Sequence, residues 1–168
     1  MEQVILVDTD DREIGSMEKM QAHRLGKLHR AFSVLVFNSR GELMLQKRAK
    51  TKYHSGGLWT NTCCSHPKPG EPIQQAMRRK LRQEMGIDVD LKFKFKFIYK
   101  VDLDNNLIEH EIDHVFAGTY DGPPKLNKHE AEDWRFDSMS TIRDEISRDP
   151  NQFTAWFKKI VDMLPETI

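Results

Sequence analysis

The stretch TNTCCSHP, residues 60–67, contains both cysteines of this chain and a histidine two positions after the second one. Thiols and imidazoles bind metals, exchange electrons or move protons. Neighbouring Cα atoms lie about 3.8 Å apart, closer than a relaxed disulfide allows, so we expect Cys63 and Cys64 to be reduced thiols. A strand would point them to opposite faces and place Cys64 on the face of His66. A strand cysteine is often only a packing residue, so the pattern alone leaves a metal ligand, a working thiol and a packing role open.

Three carboxylates recur at every second position further along the chain, in LIEHEIDHVFAGTY, residues 107–120. If this segment is a strand, Glu109, Glu111 and Asp113 lie on one face, with neighbours about 6.6 to 7 Å apart. The preceding segment, LKFKFKFIYKV, alternates apolar and basic residues, which predicts a half-buried strand. Whether Tyr99 lies beside the carboxylates depends on the register of this hairpin, which the pattern does not determine.

Two charged residues fall on the apolar stripe of a predicted helix, in GEPIQQAMRRKLRQEMGI. The helix is predicted from about Pro72 to Met85, with proline in its first turn and Gly86 as its stop. At 100° per residue, Lys80 and Glu84 lie in the middle of the apolar face. Burying both charges is costly unless they pair with each other or serve a ligand or metal.

The elements that position these residues are predicted from the remaining patterns. Strands are predicted at residues 31–38, 42–48, 58–64, 91–101, 107–120 and 133–136, and helices at 72–85, 141–148 and after Pro150. The first two strands are predicted to form a hairpin. The last helix is indicated by apolar residues at spacings of three and four, namely Phe153, Trp156, Phe157, Ile160, Val161 and Leu164. Strand pairs with interspersed helices, without regular βαβ alternation, predict an α+β fold, a mixed β-sheet sandwich flanked by helices.

Length and charge exclude several classes of protein. At 168 residues the chain is long enough for one sizeable core and short for two, so we expect a single domain over residues 1–168. Lysine plus arginine and aspartate plus glutamate number 26 each, so the net charge attracts neither nucleic acid nor an anionic membrane. The longest strongly apolar run, VLVF, is far shorter than a membrane span, and the acidic start differs from a secretory signal. We expect a cytoplasmic protein, a monomer or weak dimer, without nucleic-acid or membrane partners.

The predicted helix resembles the Nudix box, whose pattern is a glycine, five residues, a glutamate, seven residues and R-E-U-x-E-E-x-G-U, with U a bulky aliphatic residue. The positions that match are Glu71, Arg79, Leu81, Glu84, Gly86 and Ile87. The departures are Ser65 for the first glycine, and Lys80 and Gln83 for two carboxylates that Nudix hydrolases use to hold magnesium. One remaining carboxylate beside a lysine can hold a magnesium-bound diphosphate, but it is poorly equipped to activate water. The resemblance implies a Nudix-like sandwich.

Further motifs make this resemblance more specific. The stretch GLWTNTCCSHP, the early pair His23 and His29, and the triplet EHE at 109–111 accompany the degenerate box. Together they resemble the type I isopentenyl-diphosphate isomerases, a branch of the Nudix superfamily, from about Val4 through Trp156. The resemblance implies an isomerase of isoprenoid precursor synthesis, which interconverts isopentenyl and dimethylallyl diphosphate by a 1,3-allylic proton transfer. Its partner would be this small isoprenoid diphosphate.

The resemblance also implies two metal sites. Carried over position by position, a Mn²⁺ or Zn²⁺ site would be held by His23, His29, His66, Glu109 and Glu111. Neutral imidazoles and ionised carboxylates suit these ions. A Mg²⁺ ion would be held with the substrate diphosphate through Glu84. The other histidines carry no such match and are expected to be ordinary structural residues, namely His54, His110, His114 and His129.

The reaction explains the remaining residues that the resemblance implies. One proton is added at one alkene end and another is removed, with a tertiary carbocation, or something close to it, between the two events. Cys64 and Glu111 would handle these protons from opposite sides of the alkene, with Tyr99 assisting Glu111. Trp156 would turn its ring toward the cation. A cation–π contact of this kind stabilises the cation by roughly 2 kcal/mol or more when it is desolvated. The diphosphate would be bound by a basic clamp, consisting of Lys19, Arg48, Lys52 and Lys80.

Two other functions remain open from the sequence. The first is a Nudix hydrolase of a nucleoside diphosphate derivative, against which Lys80 and Gln83 argue. The second is a non-enzymatic Nudix-like module with a structural zinc site, in which Cys64 would be a ligand or a packing residue. Periodicity by itself also places Trp156 in the core rather than in a site.

Overall fold

The computed structural model describes residues 1–165, and a mixed sheet with helices on both faces dominates it. The strands are β1 Gln3–Val7, β2 Glu13–Glu18, β3 His29–Phe37, β4 Leu43–Arg48, β5 Trp59–Thr60, β6 Cys63–Ser65, β7 Lys92–Asp102, β8 Ile108–Thr119 and β9 Ala131–Asp137. The α-helices are α1 Lys19–Leu25, α2 Ile73–Met85, α3 Met139–Arg148 and α4 Ala155–Met163. The predicted α+β fold is confirmed. In this part of the chain no helix is both long and apolar enough to cross a membrane.

Strand β3 lies at the centre of the sheet. It pairs in parallel with β8 on one side and antiparallel with β6 on the other. Val34 and Val36 pack in the core beneath α2, whereas Leu35 and Phe37 pack beneath α3 and α4. Because both faces are covered, β3 is continuously apolar instead of alternating.

The first predicted hairpin and the strand predicted at 58–64 are both partly wrong. Strands β3 and β4 pair only at Phe37 and Leu43 and then separate. The predicted single strand is two short strands, of which β5 pairs with β4 and β6 with β3. Between them the Thr62 hydroxyl donates to the Met44 carbonyl at 2.6 Å and accepts from the Val36 amide at 2.9 Å. Side-chain hydrogen bonds thus replace ladder bonds where the chain crosses from one strand to the other.

Helix α2 is close to its prediction. It begins directly after Pro72 and ends at Gly86, whose φ of 65° is the left-handed conformation that glycine adopts easily. Lys80 and Glu84 are buried, as their place on the apolar stripe predicts, and Lys80 Nζ lies 3.3 Å from a Glu84 carboxylate oxygen. The two charges therefore pair with each other.

The N-terminal hairpin β1–β2 and helix α1 were not predicted. Strand β1 joins the sheet beside β3, where Leu6 pairs with His29. The Glu18 carboxylate caps α1 by accepting hydrogen bonds from two of its backbone amides. This segment brings Lys19 and His23 to the site.

The hairpin of β7 and β8 is confirmed, and its register places Tyr99 opposite Glu111. On β8, Glu109, Glu111 and Asp113 are all buried, as strand alternation predicts for residues on one face. The expectation of a single domain stays a prediction.

Candidate active site

A pocket lies at the end of the sheet where α1, β4, β6, α2, β8 and α4 approach one another. The predicted site residues that line it are Lys19, Arg48, Lys52, Cys64, His66, Lys80, Glu84, Glu109, Glu111 and Trp156. The other predicted site residues lie directly behind this lining: His23 contacts Glu109, and His29 and Tyr99 contact Glu111.

Five of these residues form a compact cluster that we call the His/Glu cluster. Each contributes one nitrogen or oxygen atom, and these atoms all lie within 4.8 Å of one another; the members are His23, His29, His66, Glu109 and Glu111. Every member is buried. Elements distant in sequence therefore converge on one point, as a metal site requires.

Hydrogen bonds orient two of the imidazoles toward this point. The Nδ1 atom of His23 donates to the Lys19 carbonyl at 2.7 Å, and that of His29 donates to the Lys27 carbonyl at 2.8 Å. With Nδ1 bonded to a carbonyl, the Nε2 atom of each ring faces the carboxylates and is the atom available to a metal. Burial lowers the pKa of His66 to about 3, so this imidazole is neutral. Burial also lowers the pKa of His23, but the neighbouring carboxylates of Glu109 and Glu111 outweigh it and raise this pKa.

Several nitrogen and oxygen atoms of the cluster lie within contact distance of one another. The Glu111 Oε2 atom lies 2.9 Å from His29 Nε2 and 2.6 Å from His66 Nε2. His23 Nε2 and Glu109 Oε2 are buried without a hydrogen-bond partner. A divalent cation would satisfy all these atoms, and imidazole with carboxylate suits zinc or manganese. The cluster thus fits a divalent metal ion.

The two glutamates differ in their ionisation. Burial, together with the charge of Glu109, raises the pKa of Glu111 to about 8. Burial also raises the pKa of Glu109, but its close contacts with Glu111, His23 and His54 outweigh it and hold this pKa well below its usual value. The two carboxyl groups therefore share one proton at neutral pH when no cation is bound. The Tyr99 hydroxyl donates to Glu111 Oε1 at 2.6 Å, which orients the carboxyl group.

The two cysteines lie on opposite faces of β6, as strand geometry predicts. Cys63 is fully buried in the core with α2, and its Sγ atom lies 3.7 Å from Glu84 Oε1. Cys64 pairs across the sheet with Ser33 and lines the pocket. Burial raises the pKa of the Cys64 thiol far above its usual value, so this sulfur keeps its proton at neutral pH.

Trp156 belongs both to the core and to the pocket. Only 3% of it is exposed, and it packs with the apolar residues of α4 while its ring lines the pocket. The Arg48 guanidinium carbon lies 5.3 Å from the ring centre, within the range of a cation–π contact. The periodicity that places Trp156 in the core and the resemblance that places it in the site are therefore compatible.

Several residues of the pocket were missed as site residues, and three of them lie close to the predicted ones. His54 Nε2 lies 3.1 Å from Glu109 Oε2, and Tyr53 packs its ring 4.4 Å from Lys19 Nζ. No pattern in the sequence marks either residue. The third is Asp113, which accepts a 2.7 Å hydrogen bond from the buried Ser33 hydroxyl, and its alternation with Glu109 and Glu111 was the available signal.

The other histidines take no part in the cluster. His110 and His114 each donate through Nδ1 to a backbone carbonyl, of Gly26 and Ala31 respectively.

Comparison with known proteins agrees with this geometry. The family model described as "NUDIX domain" matches residues 27–157. The isopentenyl-diphosphate Delta-isomerase 1 of Aromatoleum aromaticum is 52% identical over 161 residues, which are 96% of this chain and 91% of that protein. The isopentenyl-diphosphate Delta-isomerase of Pectobacterium atrosepticum is 48% identical over 164 residues, which are 98% of this chain and 92% of that protein.

Solved structures share the fold at low identity. The Deinococcus radiodurans protein DR0079 has a TM-score of 0.82 at 17% identity and covers 96% of this chain and 98% of its own. A MutT NUDIX hydrolase from Burkholderia pseudomallei has a TM-score of 0.65 at 16% identity, over 82% of this chain and 98% of its own. The matched family model and the extent of identity show that this chain belongs to the NUDIX domain family and, within it, to the isopentenyl-diphosphate Delta-isomerases.

Proposed function

We propose that this chain interconverts isopentenyl and dimethylallyl diphosphate by adding one proton to the alkene and removing another. One observation supports this most strongly: a single pocket combines the protonated thiol of Cys64, the carboxyl group of Glu111 and basic side chains suited to a diphosphate. Its relatives are named for the same reaction.

Cys64 and Glu111 handle the two protons in this proposal. An unactivated alkene is a weak base, so the acid has to be well placed and already protonated. Burial keeps the Cys64 thiol protonated, and Tyr99 holds the Glu111 carboxyl group in one orientation. By microscopic reversibility the group that gives a proton in one direction takes it back in the other, so one pair serves both directions.

The cationic intermediate needs a dry surface with electron density. Trp156 lines the pocket while being almost fully buried, and the buried carboxyl groups of Glu111 and Asp113 line the same space. A desolvated cation–π contact is worth roughly 2 kcal/mol, close to a 30-fold effect on a rate.

The diphosphate and the metals are assigned as follows. The basic clamp binds the diphosphate, and its members are Lys19, Arg48, Lys52 and Lys80. Glu84, a buried carboxylate beside Lys80, would hold Mg²⁺ together with the diphosphate, and carboxylate oxygens are ligands that this ion prefers. The His/Glu cluster would hold Mn²⁺ or Zn²⁺, whose positive charge would keep Glu109 and Glu111 ionised.

Hydrolysis of a nucleoside diphosphate derivative is poorly supported. Lys80 stands where hydrolases of this family have a carboxylate, and its charge is already paired with Glu84. Gln83 replaces a second carboxylate and is exposed. One carboxylate does not assemble the ion cluster that activates water for phosphoanhydride cleavage.

The test is to incubate the protein with isopentenyl diphosphate, magnesium and manganese or zinc in heavy water and to follow the products by NMR. We expect deuterated dimethylallyl diphosphate and deuterium exchange into the substrate. Folded, metal-loaded protein that yields neither isomer nor exchange would refute the isomerase. Release of inorganic phosphate from nucleoside diphosphate derivatives, measured in parallel, would instead support a hydrolase.

A further inference from the structure

Most of the basic clamp already has carboxylate partners. The Lys19 ammonium lies 2.9 Å from a Glu2 oxygen, and that of Lys52 lies 2.5 Å from a Glu130 oxygen. Lys80 pairs with Glu84 at 3.3 Å, as described above. The three carboxylates line the same pocket as the lysines, so the positive charge of each lysine is already neutralised by a glutamate before an anion binds.

Arg48 is the exception within this pocket. It is 5% exposed, one of its terminal nitrogens donates to the His54 carbonyl at 3.1 Å, and its Nε atom is buried without a hydrogen-bond partner. Arg48 is therefore the clamp residue without a carboxylate partner among the described residues, and its unused buried donor indicates a place for an anionic acceptor.

Glu130 is held firmly at this position. It lies on the turn before β9, where its carbonyl accepts from the Ala49 amide at 3.0 Å and its amide donates to the Asn127 carbonyl at 2.9 Å. Burial raises the pKa of the Glu130 carboxyl, but the hydrogen bond from Lys52 and the charges of Lys52, Lys80 and Arg48 outweigh it. Glu130 is therefore an ionised carboxylate among three clamp residues.

These carboxylates change which form of the ligand the pocket can accept. A free diphosphate carries several negative charges, and it would have to displace Glu2 or Glu130 while remaining close to the displaced carboxylate. Like charges at contact distance near a protein surface repel each other, which weakens binding of the free anion. A diphosphate that arrives with a divalent cation brings its own positive charge, which both the phosphate oxygens and the nearby carboxylates favour.

We propose that Glu2 and Glu130 are specificity-determining residues, which make the pocket select a cation-bound diphosphate over the free anion. The inference rests on one part of the proposed function, namely that the substrate of this pocket carries a diphosphate group. Neither carboxylate has to touch the reacting carbon atoms, since each acts through the lysine that it neutralises.

The experiment measures binding without turnover. Inorganic diphosphate is titrated into the full chain by calorimetry, once with excess magnesium and once in buffer freed of divalent cations by a chelating resin. The variant is Glu130→Gln, which keeps the shape of the side chain and removes its charge. The matched control is Asp133→Asn, an equal change of charge at an exposed position three residues away.

We expect Glu130→Gln to bind the free diphosphate about tenfold more tightly or better, because Lys52 is released and a like charge is removed. Its affinity for the magnesium-bound form should change by less than about threefold, so the preference for that form falls. Asp133→Asn should resemble the parent chain.

Equal gains for both forms, no gain for the free anion, or the same gain in Asp133→Asn would each overturn the proposal. If Glu130→Gln does not fold, Glu2→Gln gives the same test from the opposite side of the clamp, since it releases Lys19. Because inorganic diphosphate has no alkene, the binding result stands even if the isomerase assay fails. A failed isomerase with selective diphosphate binding would thus overturn the proposed function alone.

Discussion

The pocket has two unlike walls. On the wall formed by α2, Glu84 accepts from the Gln46 amide at 3.1 Å and pairs with Lys80 at 3.3 Å. On the wall formed by β8 and α4, Glu109 Oε2, Asp113 Oδ1 and Trp156 Nε1 are buried without hydrogen-bond partners. Buried polar atoms are normally satisfied, and an unsatisfied one has to be explained by a ligand, an ion or a catalytic role.

The two walls differ in where their carboxylates lie. Nudix hydrolases concentrate their metal-binding carboxylates on the helix of the Nudix box, whereas α2 keeps one of them and neutralises it with a lysine. Among the carboxylates that line the pocket, those with an oxygen that lacks a partner are instead on strand β8, beside three histidines. This difference supports the proposal that the helix wall holds a charged group of the substrate and that the strand wall acts on its alkene.

The largest expected effect distinguishes the two neighbouring thiols, one on each side of β6. Cys64→Ala should lower turnover by about 10³-fold or more, because a positioned acid or base contributes about 10² to 10⁴. Cys63→Ala should keep turnover within about threefold and lose about 1 kcal/mol of unfolding free energy, since its sulfur fills the core beneath α2. Steady-state kinetics and urea unfolding measure the two effects.

Each cysteine variant is the control for the other. If both variants lost turnover equally, the assignment of one thiol to the site would be wrong. If Cys64→Ala retained most of its turnover, Cys64 would be a packing residue of the strand wall.

The second prediction concerns the ions that each wall binds. Zinc or manganese added to metal-free protein should raise the melting temperature, with a stabilisation of about 2.7 kcal/mol at a free ion concentration of one hundred times Kd. Glu109→Gln should remove most of this shift, because it takes a charged ligand from the His/Glu cluster. Scanning calorimetry with and without the ion measures the shift.

Glu84→Gln is the matched control, since it makes the same change on the α2 wall. It should keep the stabilisation by zinc or manganese. If the stabilisation required Glu84 and did not require Glu109, the metal that stabilises the fold would be bound at the Nudix-box helix α2 and not at the His/Glu cluster.

The α2 wall was the more predictable part of the fold. Its helix has a proline start, a glycine stop and a clear apolar stripe, and the sequence places its ends within one residue. Helix α1 has seven residues, too few for a periodic pattern, so the segment that carries Lys19 and His23 was not predicted. The break between β5 and β6 depends on bonds from Thr62 to two other strands, which no local pattern encodes.

The strand wall was predictable in part. Alternation placed Glu109, Glu111 and Asp113 on one face, but their approach to Tyr99 depends on a hairpin register that is set by packing. The partners of the clamp lysines were not predictable either. Glu130 is 78 positions from Lys52, and charge patterns identify pairs only when they are neighbours on one element.

The smallest expected effect concerns the ionisation of Asp113, the carboxyl group on the strand wall that has one oxygen without a hydrogen-bond partner. Burial raises the pKa of Asp113 from 3.8 to about 7, so the folded chain keeps this carboxyl protonated at pH values where the unfolded chain has ionised it. The contribution of Asp113 therefore lowers the free energy of unfolding as the pH rises from about 4 to about 7, and it lowers it no further above that range. Asp113→Asn lacks this titration, and its amide oxygen can still accept the hydrogen bond from Ser33.

The free energy of unfolding of Asp113→Asn, relative to that of the parent chain, should therefore rise by on the order of 1 to 3 kcal/mol as the pH rises from 4 to 8. Urea unfolding of both proteins in metal-free buffer across this range measures the difference. Asp133→Asn, at an exposed position of β9, should show no such gain. A difference that stays constant with pH would mean that Asp113 is ionised in the folded chain, and the strand wall would then carry a second negative charge beside Glu109 rather than a neutral carboxyl group.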